Sequence, residues 1–585
     1  MNRFLGILFV LTGLMYLSGC SLKEDMRSDS TKEEYYRNEA QIRTGLNGCY
    51  ASARAVFTNS GFFQMTECAA DLMYQDVSSF YDANCDISPS RPGVASRVWA
   101  SSYEGVMRCN AIMDAVRCAE ESGYIESSSA LSFKAEAAVM RALYYYLLTS
   151  TFGDVPFYTV PVTEADRDSI ARLPRMSADE IRDNLIEELT AYLMPEESGG
   201  CEALPLVRSY GELSQNYAGS PLGLMLAGKF CMWNRRWEDA IKVFEVIEDI
   251  YGDFKATPAS FGSVYPLTDV PFSRKYVKES ILEIGNDVQE YGIRVSGSLA
   301  QFCMPKRTVA LPGEGNESAE ALADASDIYD GIVIPELGEF ARTTSPVRPT
   351  TYFYTQLMSY DSQDLRSGEY SQGSDKARNG SGTLAWRWAG YGVTDLQRDT
   401  LKVMWFKEVV PPSALEDKEP SEVIAVQVNA EKQYGKYRPW LGNKFWCYGM
   451  NNNLDGNNYK IFRYAGVLLN MAESHLMMGD LDKACAYLNI VRIRAGLDPL
   501  TAASVGGNSD ALMEEIRMEC ARELFGEFQR KFDLVRWGVW YDRVKAYNEG
   551  KYIHDYVQPY HEFWPIPADQ VTYSGNALDN DSYKQ

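Results

Sequence analysis

Histidine is scarce: the 585 residues hold three, His475, His554 and His561. That narrows the chemistry, because histidine is the most frequent general base and metal ligand. His475 falls on the apolar face of a helical pattern and reads as a core residue, not a ligand. No C-x-x-C pair occurs among the 12 cysteines, so neither a zinc ribbon nor a redox dithiol is indicated. The metalloprotease, nucleophile-elbow, P-loop and Rossmann glycine patterns are also absent. Carboxylates are plentiful, but nothing in the sequence sets two of them together as a glycosidase requires. The expectation is a non-enzyme with no catalytic residue, no metal and no cofactor. Basic residues are in deficit as well, 57 Lys and Arg against 80 Asp and Glu, for a formal net charge of −23. Without a basic stripe to neutralise phosphates, nucleic acid is not expected as a partner.

Long apolar runs are missing beyond the N-terminus. The one present, Phe4 to Leu17 behind Arg3, is too short for an ordinary membrane span and has the form of a signal peptide. It ends Leu17-Ser18-Gly19-Cys20, small residues before a cysteine, as in a bacterial lipobox. Residues 1–19 are therefore read as a signal peptide, and Cys20 as the lipid-bearing first residue of the mature chain. Residues 20–30 form a polar tether. Lipid on Cys20 leaves 11 other cysteines, most of which read as small core residues.

Helical periodicity, by contrast, is strong. In 459–497, Ile461, Tyr464, Ala465, Leu468, Leu469, Ala472, His475 and Leu476 form one apolar stripe. Gly479 ends that helix and Asp480 caps the next, whose stripe is Ala484, Tyr487, Leu488, Val491 and Ala495. Residues 217–250 repeat the pattern, with Ala240 at the place of Ala484. Repetition of this kind marks stacked helical pairs, a mainly α, tetratricopeptide-like scaffold. Further helices are expected over 32–56, 96–120, 130–151 and from Ser177 to Leu193. One more starts at Ser509-Asp510 and continues toward Trp537. In it, Glu519, Arg522, Glu523, Glu527, Arg530, Asp533 and Arg536 lie among bulky apolar residues, which suggests a partly buried ion-pair lattice. The stretch 65–97 is polar and rich in Pro, Gly and Ser, and reads as a long loop. The run Asn451–Asn458 is oxygen-rich and reads as a solvated Asn/Gly loop in preference to a Ca²⁺ site.

Three blocks, FRYAGVLLNMAESHLMMGDLDKACAYLNIVRIRAGL, RELFGEFQRKFDLVRWG and FWPIPADQV, resemble in order and spacing the C-terminal signature of SusD/RagB-like outer-membrane lipoproteins. Trp99, Tyr103 and Asn110 match that family's W-x-x-x-Y pattern with a following Asn, and Asp364-Leu365-Arg366 matches a motif ending Asp-x-Arg. The chain departs from the family at Cys520, where Arg is usual after Glu519, and at Phe528, where Gly is usual after Glu527. The resemblance implies nutrient capture, foremost of a glycan, at the outer surface of a Gram-negative cell. It implies a SusC-like TonB-dependent transporter as partner and a lipid anchor in the outer membrane, with display on the exterior face of the cell. Peptide binding within the same family and a surface hydrolase are the rival readings.

The chain then divides into an N-terminal helical part (31–250), a loop-rich insert containing short strands (251–445) and a C-terminal helical part (446–585). Aromatics are abundant, with 38 Tyr, 11 Trp and 24 Phe, and they concentrate in the insert and in the 74–99 loop. Rigid rings on loops suit the C–H face of a sugar. The candidate ligand residues are Tyr81, Tyr265, Tyr291, Trp386 and Trp388.

Overall fold

Asn38 opens the first long helix, α1 (Glu39–Phe57), its side-chain oxygen accepting from the Gln41 N–H at 3.0 Å. The computed structural model describes residues 35–204, 217–251, 269–288, 296–304, 344, 346–358, 364–366, 368–369, 387–389, 440–450 and 452–583. Helices α2 (Ala95–Glu121) and α3 (Ser127–Phe152) follow, close to the expected bounds. α3 is buried on every side from Ala135 to Phe152, as befits a central helix with no polar face. α2 comes so near that a Cβ on Gly105 would lie 2.2 Å from the Tyr144 ring. The W-x-x-x-Y…N motif fastens the segment after α3. The Tyr103 hydroxyl donates to the Pro156 carbonyl at 2.8 Å, and the Asn110 amide donates to that of Val160 at 3.1 Å.

The two repeats have matching dimensions. α4 (Ala178–Leu193), capped by Ser177, leads to α5 (Ser220–Trp233) and α6 (Trp237–Ile250). α7 (Tyr464–Met477) and α8 (Leu481–Arg494) form the second pair. Each of these four helices has 14 residues. Gly479 turns at φ +84°, and the Asp480 carboxylate accepts from the Lys483 N–H at 3.0 Å. α6 packs on α7, so two pairs far apart in sequence stack as neighbours. Ala240 and Ala484 are both fully buried at the equivalent positions. The fold is thus mainly α and tetratricopeptide-like, with short strands. The longest strands among the described residues, β1 (Ser280–Ile284) and β2 (Tyr459–Arg463), pair antiparallel, and β2 runs directly into α7. Among the described residues, no helix is long and apolar enough to cross a membrane.

The single helix expected from Ser509 to Trp537 is two. α9 (Ser509–Leu524) stops where Gly526 and Phe528 adopt positive φ, +77° and +64°, and α10 (Arg530–Arg536) resumes beyond. Between them lies the ion-pair lattice, more deeply buried than the sequence suggested. Arg463 bridges Glu279, Glu523 and Glu527 at 2.8–3.0 Å. Arg366 contacts Glu519 and Glu523 at 2.7 and 3.0 Å and closes its own turn on Asp364 at 2.8 Å. Lys444 reaches Glu527 at 2.7 Å. Burial opposes the charge on Glu523, but Arg494, Arg463, Arg366 and Lys444 outweigh it and hold the carboxyl well below its ordinary value. The lattice therefore fastens 279, 364–366 and 444 onto the C-terminal helices. It closes without an arginine at position 520, where Cys520 is a buried thiol.

Two further expectations hold only in part. The long loop expected over 65–97 is interrupted by short elements, and its first part is buried. It contains a π-helical turn (Gln64–Cys68), a two-residue strand (Met73–Tyr74) and a helical turn (Tyr81–Asn84), and residues 61–75 are all buried. The Asn451–Asn458 run is solvated only in part: Asn451 lies outside the described residues, and Asn452 and Asn453 are exposed. Asp455, Asn457 and Asn458 are buried, and Asp455 accepts from the Ala300 and Asn457 N–H groups, each at 3.0 Å, and from the Tyr459 hydroxyl at 3.1 Å. Its oxygens brace backbone. All cysteines in the described residues are free thiols, nine of the eleven buried. His475 is buried and stacks on Tyr487, ring centroids 5.3 Å apart.

Candidate functional site

Tyr81 begins the helical turn Tyr81–Asn84 and projects from a buried segment with 42% of its surface exposed. The Arg91 guanidinium lies 5.1 Å from its ring centroid and forms an ion pair with Asp86, which limits the ring's freedom. Tyr81 lines a cleft of about 490 Å³ with Asn59, Gln64, Ser79, Ser96 and Arg97. That volume is within the range of about 300–1,000 Å³ seen for small-molecule sites. An aromatic ring beside an amide, hydroxyls and a guanidinium is the combination that a sugar requires.

Asp82 anchors the wall. Its carboxylate accepts from the Val94 N–H at 2.8 Å and from the Trp564 indole N–H at 3.2 Å. Gly93, at φ +60°, leaves room for it: a Cβ there would sit 2.2 Å from the Asp82 carboxylate. Burial pushes the Asp82 pKa up to about 6, against the pull of the Val94 and Trp564 donors. Asn84 supports the approach to Tyr81 by donating to the carbonyls of Val77 and Ser78 at 3.0 and 3.3 Å. The C-terminal block FWPIPADQV docks alongside, Trp564 N–H donating to the Thr151 carbonyl at 2.8 Å and Ala568 N–H to that of Pro89 at 2.9 Å.

Of the other sequence candidates, Tyr265, Tyr291 and Trp386 lie outside the described residues. Trp388 lies in a short strand that pairs antiparallel with Gly368–Glu369 and parallel with Trp440–Leu441. The Trp440–Leu441 strand contacts Arg348–Pro349, which pairs in turn with Met73–Tyr74, a few residues before Tyr81. Two short sheets in contact with each other thus lead from the Trp388 strand to the segment bearing Tyr81. Sequence reasoning did not single out Gln64, Asn59 or Arg97. The glycines that flank Asp82 in space, Gly61 and Gly93, were the available signal for a close approach there. A larger groove of about 920 Å³ between α4 and α6 has a different character. Glu180, Asp183, Glu187, Asp239, Glu245 and Asp249 line it, and no aromatic ring does. Among the described residues, no group of three or more His, Cys, Asp or Glu is placed to hold a metal ion.

A helical-repeat scaffold with aromatic-bearing segments pinned onto it defines the class. Two family models match this chain. The SusD family model covers residues 425–583, and a model described as starch-binding associating with outer membrane covers residues 22–200. The chain belongs to the SusD/RagB-like family. A SusD-like protein of Formosa agariphila is 23% identical over 583 residues, 96% of this chain and 95% of its own. The crystal structure of a SusD homologue from Bacteroides thetaiotaomicron superposes with TM-score 0.65 at 18% identity, over 94% of this chain and 98% of that one. Surface glycan-binding protein A from Bacteroides uniformis gives 0.59 at 19% identity, over 94% and 100%. The same-named protein from Bacteroides thetaiotaomicron, solved in complex with laminarihexaose, gives 0.56 at 17% identity, over 93% and 99%. At these identities the structural likeness speaks for the fold.

Proposed function

We propose that this protein is a cell-surface lipoprotein that captures a glycan and delivers it to a SusC-like TonB-dependent transporter, without cleaving it. The observation that carries the reading is the exposed Tyr81 ring in a cleft lined by hydrogen-bonding side chains, on a wall clamped by the family's C-terminal block. Family membership and a structural neighbour holding laminarihexaose support it. Aromatics of the insert, Tyr265, Tyr291, Trp386 and Trp388, extend the platform begun by Tyr81. The partition into a signal peptide (1–19), tether (20–30), N-terminal part (31–250), insert (251–445) and C-terminal part (446–585) is part of the proposal. So is the anchor at Cys20, supported by Leu17-Ser18-Gly19-Cys20 and by the outer-membrane association in the family description. Two acyl chains at about 0.8 kcal/mol per buried CH₂ make such an anchor stable.

The test is isothermal titration with laminarihexaose and a panel of plant and algal oligosaccharides. One ligand is expected to bind wild type and to bind Tyr81→Ala and Trp388→Ala several-fold more weakly, with circular dichroism unchanged. A stacked ring contributes about 0.5–1.5 kcal/mol beyond its buried area, which sets that scale. Binding of peptides alone, or release of reducing ends from a polysaccharide, would overturn it. Cys20→Ala should release the protein from the membrane fraction. Retention with incorporation of labelled acyl chains would refute the anchor.

A further inference from the structure

A second recess opens between α1, α3 and β1. Its volume is about 290 Å³, the lower limit for a small-molecule site, and it shares no lining residue with the Tyr81 cleft. α1 presents Asn47, Tyr50, Ala51 and Arg54 to it, positions that fall on one helix face. Leu143 of α3 and Leu282 and Ile284 of β1 supply an apolar lining, while Tyr217 and Tyr276 add two further rings.

Two features distinguish this recess from a packing gap. Tyr276 is 39% exposed, and its backbone stands at φ +52°, an outlier for a bulky side chain. The Glu283 carboxylate holds it there by accepting the Tyr276 N–H at 2.9 Å. Backbone strain that keeps a large ring out of the core is characteristic of ligand clamps. Arg54 is the second feature. It donates to the Gly285 carbonyl and to the Asn286 side chain at 2.6 Å, yet pairs with no carboxylate among the described residues. A guanidinium has five N–H donors, so three remain. Glu283, on the same wall, accepts from the Tyr276 and Asn458 groups at 2.9 Å and from Ser280, leaving acceptor capacity. One cation and one anion balance, so the recess selects for hydroxyls rather than for an ion.

We infer that this recess is a second sugar site that takes a single neutral pyranose, as a monosaccharide or a chain end. Its volume fits one ring, its tyrosines present faces for the C–H surface, and Asn47, Arg54 and Glu283 address the hydroxyls. The inference rests on the glycan-binding reading above. The experiment is saturation-transfer NMR with titration on the mature chain, using glucose, galactose, mannose and xylose, with glucuronate as the charged control. At least one neutral sugar should bind. Tyr276→Ala and Ala51→Trp, which fills the recess from an exposed position, should each weaken it at least fivefold, while Tyr81→Ala leaves it unchanged. Oligosaccharide binding that depends on Tyr81 reports the first site separately. If that binding is present but no neutral monosaccharide saturates, the second site is refuted and the first stands. Glucuronate binding in place of the neutral sugars, or monosaccharide binding lost in Tyr81→Ala and kept in Tyr276→Ala, would also overturn it. Absence of all sugar binding would remove both.

Discussion

The Trp564 indole N–H donates to the Asp82 carboxylate at 3.2 Å, joining the C-terminal block to the wall of the cleft at Tyr81 across 482 positions of sequence. Both residues are buried. The contact makes a distant signature a determinant of how firmly the candidate site is held.

Trp564→Phe keeps an aromatic ring and removes the donor. Loss of a hydrogen bond to a charged acceptor costs about 1.5–3 kcal/mol, with a smaller packing loss added. The expected result is a lower denaturant midpoint and glycan binding weakened several-fold. A midpoint equal to wild type would show that the indole N–H does not bear on the wall.

Arg463 tests the lattice. It is fully buried and bridges three carboxylates. Arg463→Met approximates its volume but leaves Glu279, Glu523 and Glu527 with one cation fewer. Breaking a buried pair from one side costs about 3–5 kcal/mol, far above a surface ion pair at about 0–1 kcal/mol. Urea denaturation should show a loss in the larger range. A change under 1 kcal/mol would mean that water reaches these carboxylates.

Glu67 gives the stability a pH signature. Its carboxylate accepts from the Gly526 and Gln529 N–H groups at 2.8 and 3.1 Å, bracing the turn between α9 and α10. Burial raises its pKa to about 7, with the Gly526 and Arg530 N–H donors and the Lys444 and Arg530 cations opposing. Between the unfolded value of about 4.5 and about 7, the folded state holds the extra proton, so this group's contribution falls as pH rises. Over that window the loss reaches a few kcal/mol at most. His561, depressed to about 3 by burial, works in the opposite direction over part of the same range. The difference between wild type and Glu67→Gln isolates the first effect. Stability of the variant relative to wild type should increase from pH 4.5 to 7, and a flat difference would refute the assignment.

The helical scaffold was legible because its signals are local. The stripes of α5 to α8, the Ser177 and Asp480 caps and the Gly479 turn each act within a few residues of themselves. The segment around Glu67 was not, because tertiary contacts set its shape. The Asn548 amide donates to the carbonyls of Cys68 and Ala70 at 2.8 and 2.6 Å, satisfying irregular buried backbone from almost 480 positions away. No periodicity can announce that. Tyr81 was legible as an aromatic in a non-periodic stretch. Its cleft was not, since Asn59, Gln64 and Arg97 converge only in three dimensions. The recess at Tyr276 escaped for the same reason: its polar groups come from α1 and β1, far apart in sequence.

Phe528 sets strain against burial at a position where the family's usual residue is glycine. It stands at φ +64°, a left-handed conformation that costs an ordinary side chain about 1–2 kcal/mol. Its ring is fully buried, with Phe57, Phe62, Phe63 and Tyr459 centroids 5.7–5.9 Å away, and Phe62 stacked on it. Removing a buried Phe side chain costs about 3–5 kcal/mol. Glycine would relieve the strain and lose the ring, and the second effect is the larger. Phe528→Gly should therefore destabilise by about 1–4 kcal/mol despite adopting the conformation more readily. Phe528→Ala loses most of the same packing and keeps the strain, so it should be less stable than Phe528→Gly by about 1 kcal/mol. Chemical denaturation of the three proteins decides it. The order wild type, then Gly, then Ala follows if packing outweighs strain, whereas a glycine variant more stable than wild type would show that the aromatic cluster fails to compensate for the backbone.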